Sequence, residues 1–166
     1  MNYADASVFL FAILNDKNEP MAKASTSILD KAIEGEIRIA TSFLTWDEVV
    51  WNVRKRLGSS LADSECRKFL RFPCLEFIAV DEAIIALAQS LMKKYKLETM
   101  DAIHAASAIS KGIKNFVSSD QAVAKESMRN AWAQEKTRCT HGISHESWKE
   151  SGCSRSADTD KDNRLI

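Results

Sequence analysis

The sequence predicts an α/β fold with three layers, α/β/α, built around a central, mostly parallel sheet. Short segments rich in β-branched and apolar residues alternate with longer helical segments, and this alternation requires crossover connections between parallel strands. The chain has 166 residues, of which 45% are hydrophobic, with only five glycines and two prolines. This composition favours one compact domain with a substantial core, which we place at residues 1–127.

The N-terminal segment, residues 2–14, begins as a very short strand and becomes helical after Asp5. Apolar residues recur there at helical spacing, and Ser7 is a candidate N-cap. An amphipathic helix follows at residues 19–34, and Gly35 ends it. Asp5 is therefore predicted to lie where a strand passes into a helix.

The middle of the chain predicts a second strand and two more helices. Residues 37–42 (IRIATS) alternate in polarity and carry β-branched side chains, which is typical of a strand. A long helix over residues 43–57 ends at Gly58, because glycine is favoured directly after a helix. Another helix is expected at residues 61–70.

Two further strands alternate with two further helices before the composition changes. The segment LEFIAV, residues 75–80, predicts a strand, and an aspartate then caps a helix over residues 82–95. An alanine-rich helix at residues 97–109, with Thr99 as its candidate N-cap, precedes a strand at residues 115–119. The order of elements thus repeats the strand–helix alternation of a parallel sheet.

Residues 128–166 have a polar composition without a sustained period, and we expect them to form a poorly ordered C-terminal tail. The tail contains zinc-ligand residue types at Cys139, His141, His145 and Cys153. Their spacing does not match a common zinc finger, so we predict no zinc site there.

The composition of the whole chain excludes several classes of protein. The 23 basic and 23 acidic residues give a net charge of zero, so nucleic-acid binding would require a local basic patch. No apolar run reaches the roughly 18 residues of a membrane helix, and the N-terminus lacks the pattern of a signal peptide. The four cysteines form no C-x-x-C pair, and because no secretion signal is seen we expect reduced thiols and a cytoplasmic location.

Four carboxylates fall near predicted junctions between strands and helices: Asp5, Glu48, Asp101 and Asp120. In a parallel sheet these junctions meet at one edge, beyond the carboxyl ends of the strands. Clustered carboxylates repel one another unless a cation binds them, and Mg²⁺ and Mn²⁺ prefer oxygen ligands. The pattern indicates metal-assisted phosphodiester hydrolysis. A structural alternative exists, because aspartates also commonly cap helices or occupy their first turn.

Four segments, taken in this order, resemble the PIN-domain nucleases, and in particular the VapC-type toxins of toxin–antitoxin pairs. The segments are YADASVFL, TSFLTWDEVVW, MDAIHAASAI and NFVSSD, which together span residues 3 to about 125. The chain departs from the family in one respect. Family members usually close with a further strand, whereas AVAKESMRNAWAQEK contains no apolar β-like run.

The resemblance implies a Mg²⁺- or Mn²⁺-dependent endoribonuclease that leaves a 5′-phosphate, usually forms a homodimer and is silenced by an antitoxin protein. By motif position the metal ligands would be Asp5, Glu48, Asp101 and Asp120. Ser119 or Ser118 would help to position a ligand or a water, and Ser7 could act similarly beside Asp5.

Two neighbours of the predicted ligands require a choice. Asp47 is a rival for Glu48, but adjacent helical residues point about 100° apart, so only one can face the site, and we predict Glu48. His104 lies three residues after Asp101 and therefore shares its helix face. Because hard cations prefer oxygen, we predict a supporting or core role for His104 and not metal ligation.

A run of basic residues, Arg54–Arg56, continues the helix that carries Glu48, and Arg67, Lys68 and Arg71 follow. This group is either a solvated helix face or a rim that contacts RNA phosphates. Trp46 and Trp51 could stack on bases, although packing in a core or an interface is the more common role of tryptophan.

Three rival functions are compatible with parts of this pattern. A PIN nuclease of RNA maturation or decay would have the same carboxylates without an antitoxin. A non-catalytic PIN-like binding module would result if the altered C-terminal region had removed metal affinity. A phosphoacceptor receiver domain would have paired acids after its first strand and a lysine after a late strand, whereas here the first strand offers only Asp5.

Overall fold

The computed structural model describes residues 1–16 and 18–118, and its architecture confirms the predicted three-layer α/β/α fold. In this part of the chain the strands are β1 (Asn2–Ala4), β2 (Ile39–Ser42), β3 (Leu75–Ile78) and β4 (Asn115–Val117). The helices are α1 (Ala6–Leu14), α2 (Pro20–Ile33), α3 (Phe43–Leu57), α4 (Ser59–Leu70), α5 (Glu82–Tyr95) and α6 (Thr99–Ser110).

The four described strands form one sheet in the order β3-β2-β1-β4, and every neighbouring pair is parallel. Tyr3 of β1 lies opposite Ala40 of β2 on one side and Phe116 of β4 on the other. From β1 the chain first adds β2 and β3 on one side of the sheet and later adds β4 on the other side. The direction of winding therefore reverses at β1. The carboxyl end of β1 is therefore the place where α/β sheets form ligand sites.

Side chains of the strands alternate between two separate cores. Ala4 and Ile39 pack with helices α1 to α4 on one face, whereas Tyr3 and Ala40 pack with α5 and α6 on the other. Both faces of the sheet are covered, as expected for parallel strands. Burial of these helix faces fixes the orientation of the helices that begin at the carboxyl edge of the sheet. It therefore also fixes the positions of the side chains at that edge.

Helix α6 is buried along most of its length, because every residue from 102 to 109 is buried. Small alanine side chains allow a helix to approach the sheet and α5 closely, which explains the alanine-rich sequence. The predicted N-cap was wrong by one residue. Glu98 has the extended backbone of an N-cap, and Thr99 is already the first helical residue.

The other predicted boundaries differ from the structure by a few residues at most. The second strand begins at Ile39 and not at residue 37, and the helix predicted from residue 61 begins at Ser59. None of the helices in the described ranges is long and apolar enough to cross a bilayer. The predicted tail at residues 128–166, with its zinc-ligand residue types, lies outside the described residues.

Replacing Lys96 with glycine should stabilise the fold. Lys96 ends α5 in the left-handed conformation, with φ 55° and ψ 38°, and its N–H donates to the Met92 carbonyl. Relief of that strain exceeds the entropy that glycine adds to the unfolded chain, so Lys96→Gly should raise the free energy of unfolding by about 0.5–1 kcal/mol. Urea denaturation measures the change. Lys93→Gly, inside the last turn of α5, is the control and should lower stability by about 1 kcal/mol.

Candidate functional site

Asp5 lies at the carboxyl end of β1, where it also caps α1. Its Oδ1 accepts hydrogen bonds from the backbone N–H of Ser7 at 3.0 Å and from the Ser7 hydroxyl at 2.5 Å. The predicted N-cap role of Ser7 was therefore wrong, because Asp5 is the cap and Ser7 its donor. The Asp5 N–H donates to the Val117 carbonyl at 3.2 Å. Asp5 is thus fixed between β1, α1 and β4.

The Asp5 side chain is a carboxylate in a desolvated position, since the residue is only 3% exposed. Burial raises the pKa of the Asp5 carboxyl above its ordinary value, while hydrogen bonds with Ser7 and Ser118 act in the opposite direction. Among residues 1–16 and 18–118, no basic side chain forms an ion pair with Asp5. A buried carboxylate without a basic partner favours the binding of another cation.

A chain of hydrogen bonds joins Tyr3, His104 and Glu48 on the α5–α6 side of the sheet. The Tyr3 hydroxyl lies 2.8 Å from His104 Nδ1, and His104 Nε2 lies 2.9 Å from Glu48 Oε2. The backbone N–H of Ser42 donates to the Tyr3 oxygen at 3.1 Å. Burial raises the pKa of the Tyr3 hydroxyl well above its ordinary value, so this group is protonated. The chain links β1, α6 and α3 at the carboxyl edge of the sheet.

The structure distinguishes Glu48 from its neighbour Asp47. Glu48 is partly buried and bonded to His104, whereas Asp47 is exposed on α3. Val49 and Val53 are wholly buried, and they orient α3 so that Glu48 faces α6. Of the two acids, Glu48 is therefore the one that faces α6.

Asp101 lies in the first turn of α6 and is partly buried. It precedes His104 by three residues, so the two side chains occupy one helix face. An acid in this position also interacts favourably with the positive end of the helix dipole. Asp101 therefore lies on α6, which also carries His104, the hydrogen-bond partner of Glu48.

Ser118 follows β4, and its hydroxyl lies 3.3 Å from the Ser7 hydroxyl. This contact brings the end of β4 beside Asp5, as expected from the parallel register of β1 and β4. Ser119 and Asp120, the predicted positioning serine and fourth metal ligand, lie outside the described residues.

The three predicted ligands in the described ranges, Asp5, Glu48 and Asp101, have the chemistry that a hard divalent cation requires. Asp5 offers a desolvated carboxylate, and Glu48 has a second oxygen besides the one that contacts His104. Within residues 1–16 and 18–118, no three acidic, histidine or cysteine side chains are close enough to form a metal site by themselves. In the described part of the chain, Asp5, Glu48 and Asp101 are therefore not brought together as a three-ligand cluster.

Tyr3 is the residue of this region that sequence reasoning missed. It occupies the strand two residues before Asp5 and is wholly buried. A buried tyrosine hydroxyl usually has a hydrogen-bond partner, so a tyrosine within an apolar strand was a usable signal. The sequence could not identify that partner, because His104 is 101 residues away along the chain.

The basic residues Arg54, Lys55 and Arg56 are exposed in the last turn of α3. Trp51 is 59% exposed, and the Lys55 ammonium lies 4.8 Å from the centre of its ring. Lys68 instead pairs with the buried carboxylate of Glu65 at 3.0 Å. The exposed end of α3 therefore combines positive charge with an aromatic surface, whereas Lys68 has a structural partner.

Comparison with known proteins identifies the family. The PIN domain family model matches residues 3–126. The chain belongs to the PIN domain family. This PIN domain is also similar in structure to Mycobacterium tuberculosis VapC20, a toxin that cleaves the sarcin–ricin loop. The TM-score is 0.62 at 14% sequence identity, and the match covers 75% of this chain and 93% of VapC20. No curated protein matches the sequence.

Proposed function

We propose that this PIN domain is a Mg²⁺- or Mn²⁺-dependent endoribonuclease and acts as the toxin of a VapBC-type toxin–antitoxin pair. The observation that carries the proposal is the buried Asp5 carboxylate at the carboxyl end of β1, which has no basic partner in the described part of the chain. VapC20, which has the same fold and is a sarcin–ricin-loop-cleaving toxin, supports RNA as the substrate class.

In this proposal the metal ligands are Asp5, Glu48, Asp101 and Asp120. A bound divalent cation would activate a water molecule and neutralise a phosphate oxygen. Ser7 orients the Asp5 carboxylate through two hydrogen bonds, and Ser118 adjoins Ser7. Ser119, or Ser118 in its place, would position a ligand or the attacking water. Cleavage would leave a 5′-phosphate on the product.

The exposed end of α3 would guide RNA toward the carboxylates. Arg54, Lys55 and Arg56 can contact phosphates, and Trp51 offers a face on which a base can stack. The net charge of the chain is zero, so this local surface would have to supply the attraction. We further propose a cytoplasmic homodimer whose antitoxin partner blocks cleavage.

Cleavage of RNA by the purified protein tests the proposal. The wild-type protein should cut labelled RNA with Mn²⁺ and lose activity with a chelator. Asp101→Asn should lower the rate by about 100-fold or more, because metal-based charge stabilisation is worth several kcal/mol. Asp47→Asn, an equal chemical change at an exposed position of α3, should leave the rate unchanged. Equal rates for wild type and Asp101→Asn would contradict the assignment.

The toxin role needs a second measurement, because a PIN nuclease of RNA decay would also pass the cleavage test. Induced expression in a bacterial host should arrest growth, and Asp101→Asn should abolish the arrest. Co-expression of a small protein encoded beside the gene should restore growth if that protein is the antitoxin. Cleavage without growth arrest would favour RNA processing, and no cleavage or metal binding would favour a binding module.

A further inference from the structure

We propose that Tyr3 and His104 are positioning residues for the metal site: Tyr3 selects the tautomer of His104, and His104 then fixes the carboxylate of Glu48. The proposal rests on the proposed function, because it assigns Glu48 as a ligand of the cation. It adds two residues that make no contact with RNA or metal. The observation behind it is the continuous hydrogen-bond chain from the Ser42 backbone to the Glu48 carboxylate.

We assign the direction of each hydrogen bond starting from the donor at one end of the chain. The Ser42 N–H can only donate, so the Tyr3 oxygen accepts it at 3.1 Å. The Tyr3 hydroxyl has one hydrogen to donate, and we assign His104 Nδ1, 2.8 Å away, as its acceptor. With Nδ1 as the acceptor, the ring hydrogen of His104 is on Nε2, which donates it to Glu48 Oε2 at 2.9 Å. In this assignment the ring nitrogen of His104 that carries the hydrogen is the one that faces Glu48.

The two aromatic side chains are well suited to this role because their surroundings prevent rotation. Tyr3 is wholly buried, and its ring stacks on Phe116 with centroids 5.1 Å apart. His104 is 4% exposed and meets the Tyr3 ring edge-on at 5.9 Å. The Glu48 side chain, by contrast, is 25% exposed and would otherwise sample several rotamers. The bond from His104 therefore pre-organises the one flexible member of the chain.

This arrangement also gives His104 a defined relation to the metal site. Both ring nitrogens are already engaged, one with Tyr3 and one with Glu48, so His104 cannot bind a cation without breaking the chain. Residues that hold a metal ligand in place typically contribute about 10- to 100-fold in metal affinity. We expect Tyr3 and His104 to act in this way, through Glu48 and not through direct ligation.

The first test compares Mn²⁺ binding by full-length wild type and Tyr3→Phe, measured by calorimetry. Tyr3→Phe removes one oxygen and keeps the ring that stacks on Phe116. We expect it to raise the Kd for Mn²⁺ about 10-fold. The control is Ser107→Ala, one turn further along α6, because the buried Ser107 hydroxyl has no partner within the described residues. This control should bind Mn²⁺ as wild type does.

Nitrogen-15 NMR of the imidazole rings in the metal-free protein provides a readout that does not depend on metal or activity. His104→Gln assigns the signal among the three histidines of the chain. Wild type should show the ring hydrogen on Nε2 and none on Nδ1, and Tyr3→Phe should shift the signal toward a mixture of tautomers. A wild-type ring with its hydrogen on Nδ1 would overturn the proposed direction of the chain.

Replacements of His104 separate positioning from simple packing. Glutamine can place its amide N–H close to the position of Nε2 and donate to Glu48, whereas the shorter asparagine cannot reach it. His104→Gln should therefore retain more Mn²⁺ affinity than His104→Asn, by about 10-fold, which is the usual contribution of a residue that holds a metal ligand in place. Equal losses in the two variants, at equal thermal stability, would show that the volume of the ring matters and not its donor.

The outcomes distinguish this proposal from the proposed function. Unchanged Mn²⁺ affinity in Tyr3→Phe, beside a loss of binding in Asp5→Asn, would overturn the positioning role and leave the metal-dependent nuclease intact. Failure of the wild-type protein to bind Mn²⁺ would overturn the nuclease itself and, with it, the need to position Glu48. Weaker binding in Tyr3→Phe, together with the tautomer change, would support both.

Discussion

Asp5→Asn is expected to abolish Mn²⁺-dependent RNA cleavage and, in the absence of metal, to make the protein more stable at neutral pH. The two effects have opposite signs because the carboxylate is buried without a basic partner in the described residues. Asparagine keeps an oxygen that can accept the hydrogen bonds from Ser7, so the cap of α1 survives. Loss of a charged ligand should lower the cleavage rate by about 100-fold or more.

The pH dependence of the metal-free protein follows from the raised pKa of Asp5. Its ordinary carboxyl pKa in an unfolded chain is about 3.9, and burial raises the pKa in the folded state. Below pH of about 4 the group is protonated in both states and costs nothing. As the pH rises toward the raised value, only the unfolded chain releases the proton, so stability falls. The advantage of Asp5→Asn should therefore be absent at acidic pH and present at pH 7.

Thermal melting with and without Mn²⁺ measures both effects. Mn²⁺ should raise the Tm of the wild-type protein and have no effect on Asp5→Asn. The matched control is Asp81→Asn, since Asp81 also caps a helix after a strand but is exposed. Asp81→Asn should keep both the cleavage rate and the response to Mn²⁺. A metal-free Asp5→Asn protein that melts below wild type at pH 7 would contradict the desolvation argument.

Phe69→Ala is expected to cause a large loss in the free energy of unfolding. Phe69 of α4 is wholly buried, with its ring centroid 4.6 Å from Phe9 of α1 and 5.4 Å from Phe77 of β3. It therefore joins two helices to the sheet in one core. Truncation of a buried phenylalanine costs about 3–5 kcal/mol, a large part of the about 5–15 kcal/mol that stabilises a typical domain.

Denaturant unfolding and thermal melting measure this loss, and the Tm should fall by roughly 10 °C or more. Leu70→Ala is the control, because Leu70 is the next residue of α4 and is 51% exposed. That change should alter stability by no more than about 0.5 kcal/mol. Similar losses at the two positions would contradict the buried aromatic cluster described for this face of the sheet.

The sequence predicted the layers of the fold because hydrophobic periodicity and end signals are local properties. The strand at LEFIAV and the helix 43–57 that ends before Gly58 were predicted with bounds close to those observed. The family resemblance rested on four ordered segments, and the match over residues 3–126 confirms the PIN domain. Local signals were weaker at helix starts, where Ser7 and Thr99 were predicted as caps and Asp5 and Glu98 have that role.

The two alternative roles of Asp5 turned out to be compatible. It caps α1 through Ser7, and it is also a desolvated carboxylate at the carboxyl end of β1. The sequence alone could identify an aspartate at a strand–helix junction. It could not show that this aspartate is buried. The burial depends on β4, which pairs with β1, and on Ser118, whose hydroxyl lies beside that of Ser7; both come from more than 100 positions further along the chain.

The sequence by itself determined the α/β architecture, the family and the set of candidate acids. Only the tertiary structure decided that Glu48 and not Asp47 faces α6, and that Tyr3 and His104 connect β1 to Glu48. The physical reason is the range of the interactions. Helical and strand periods act between residues a few positions apart, whereas the hydrogen bond between Tyr3 and His104 spans 101 positions and exists because α6 packs against the sheet.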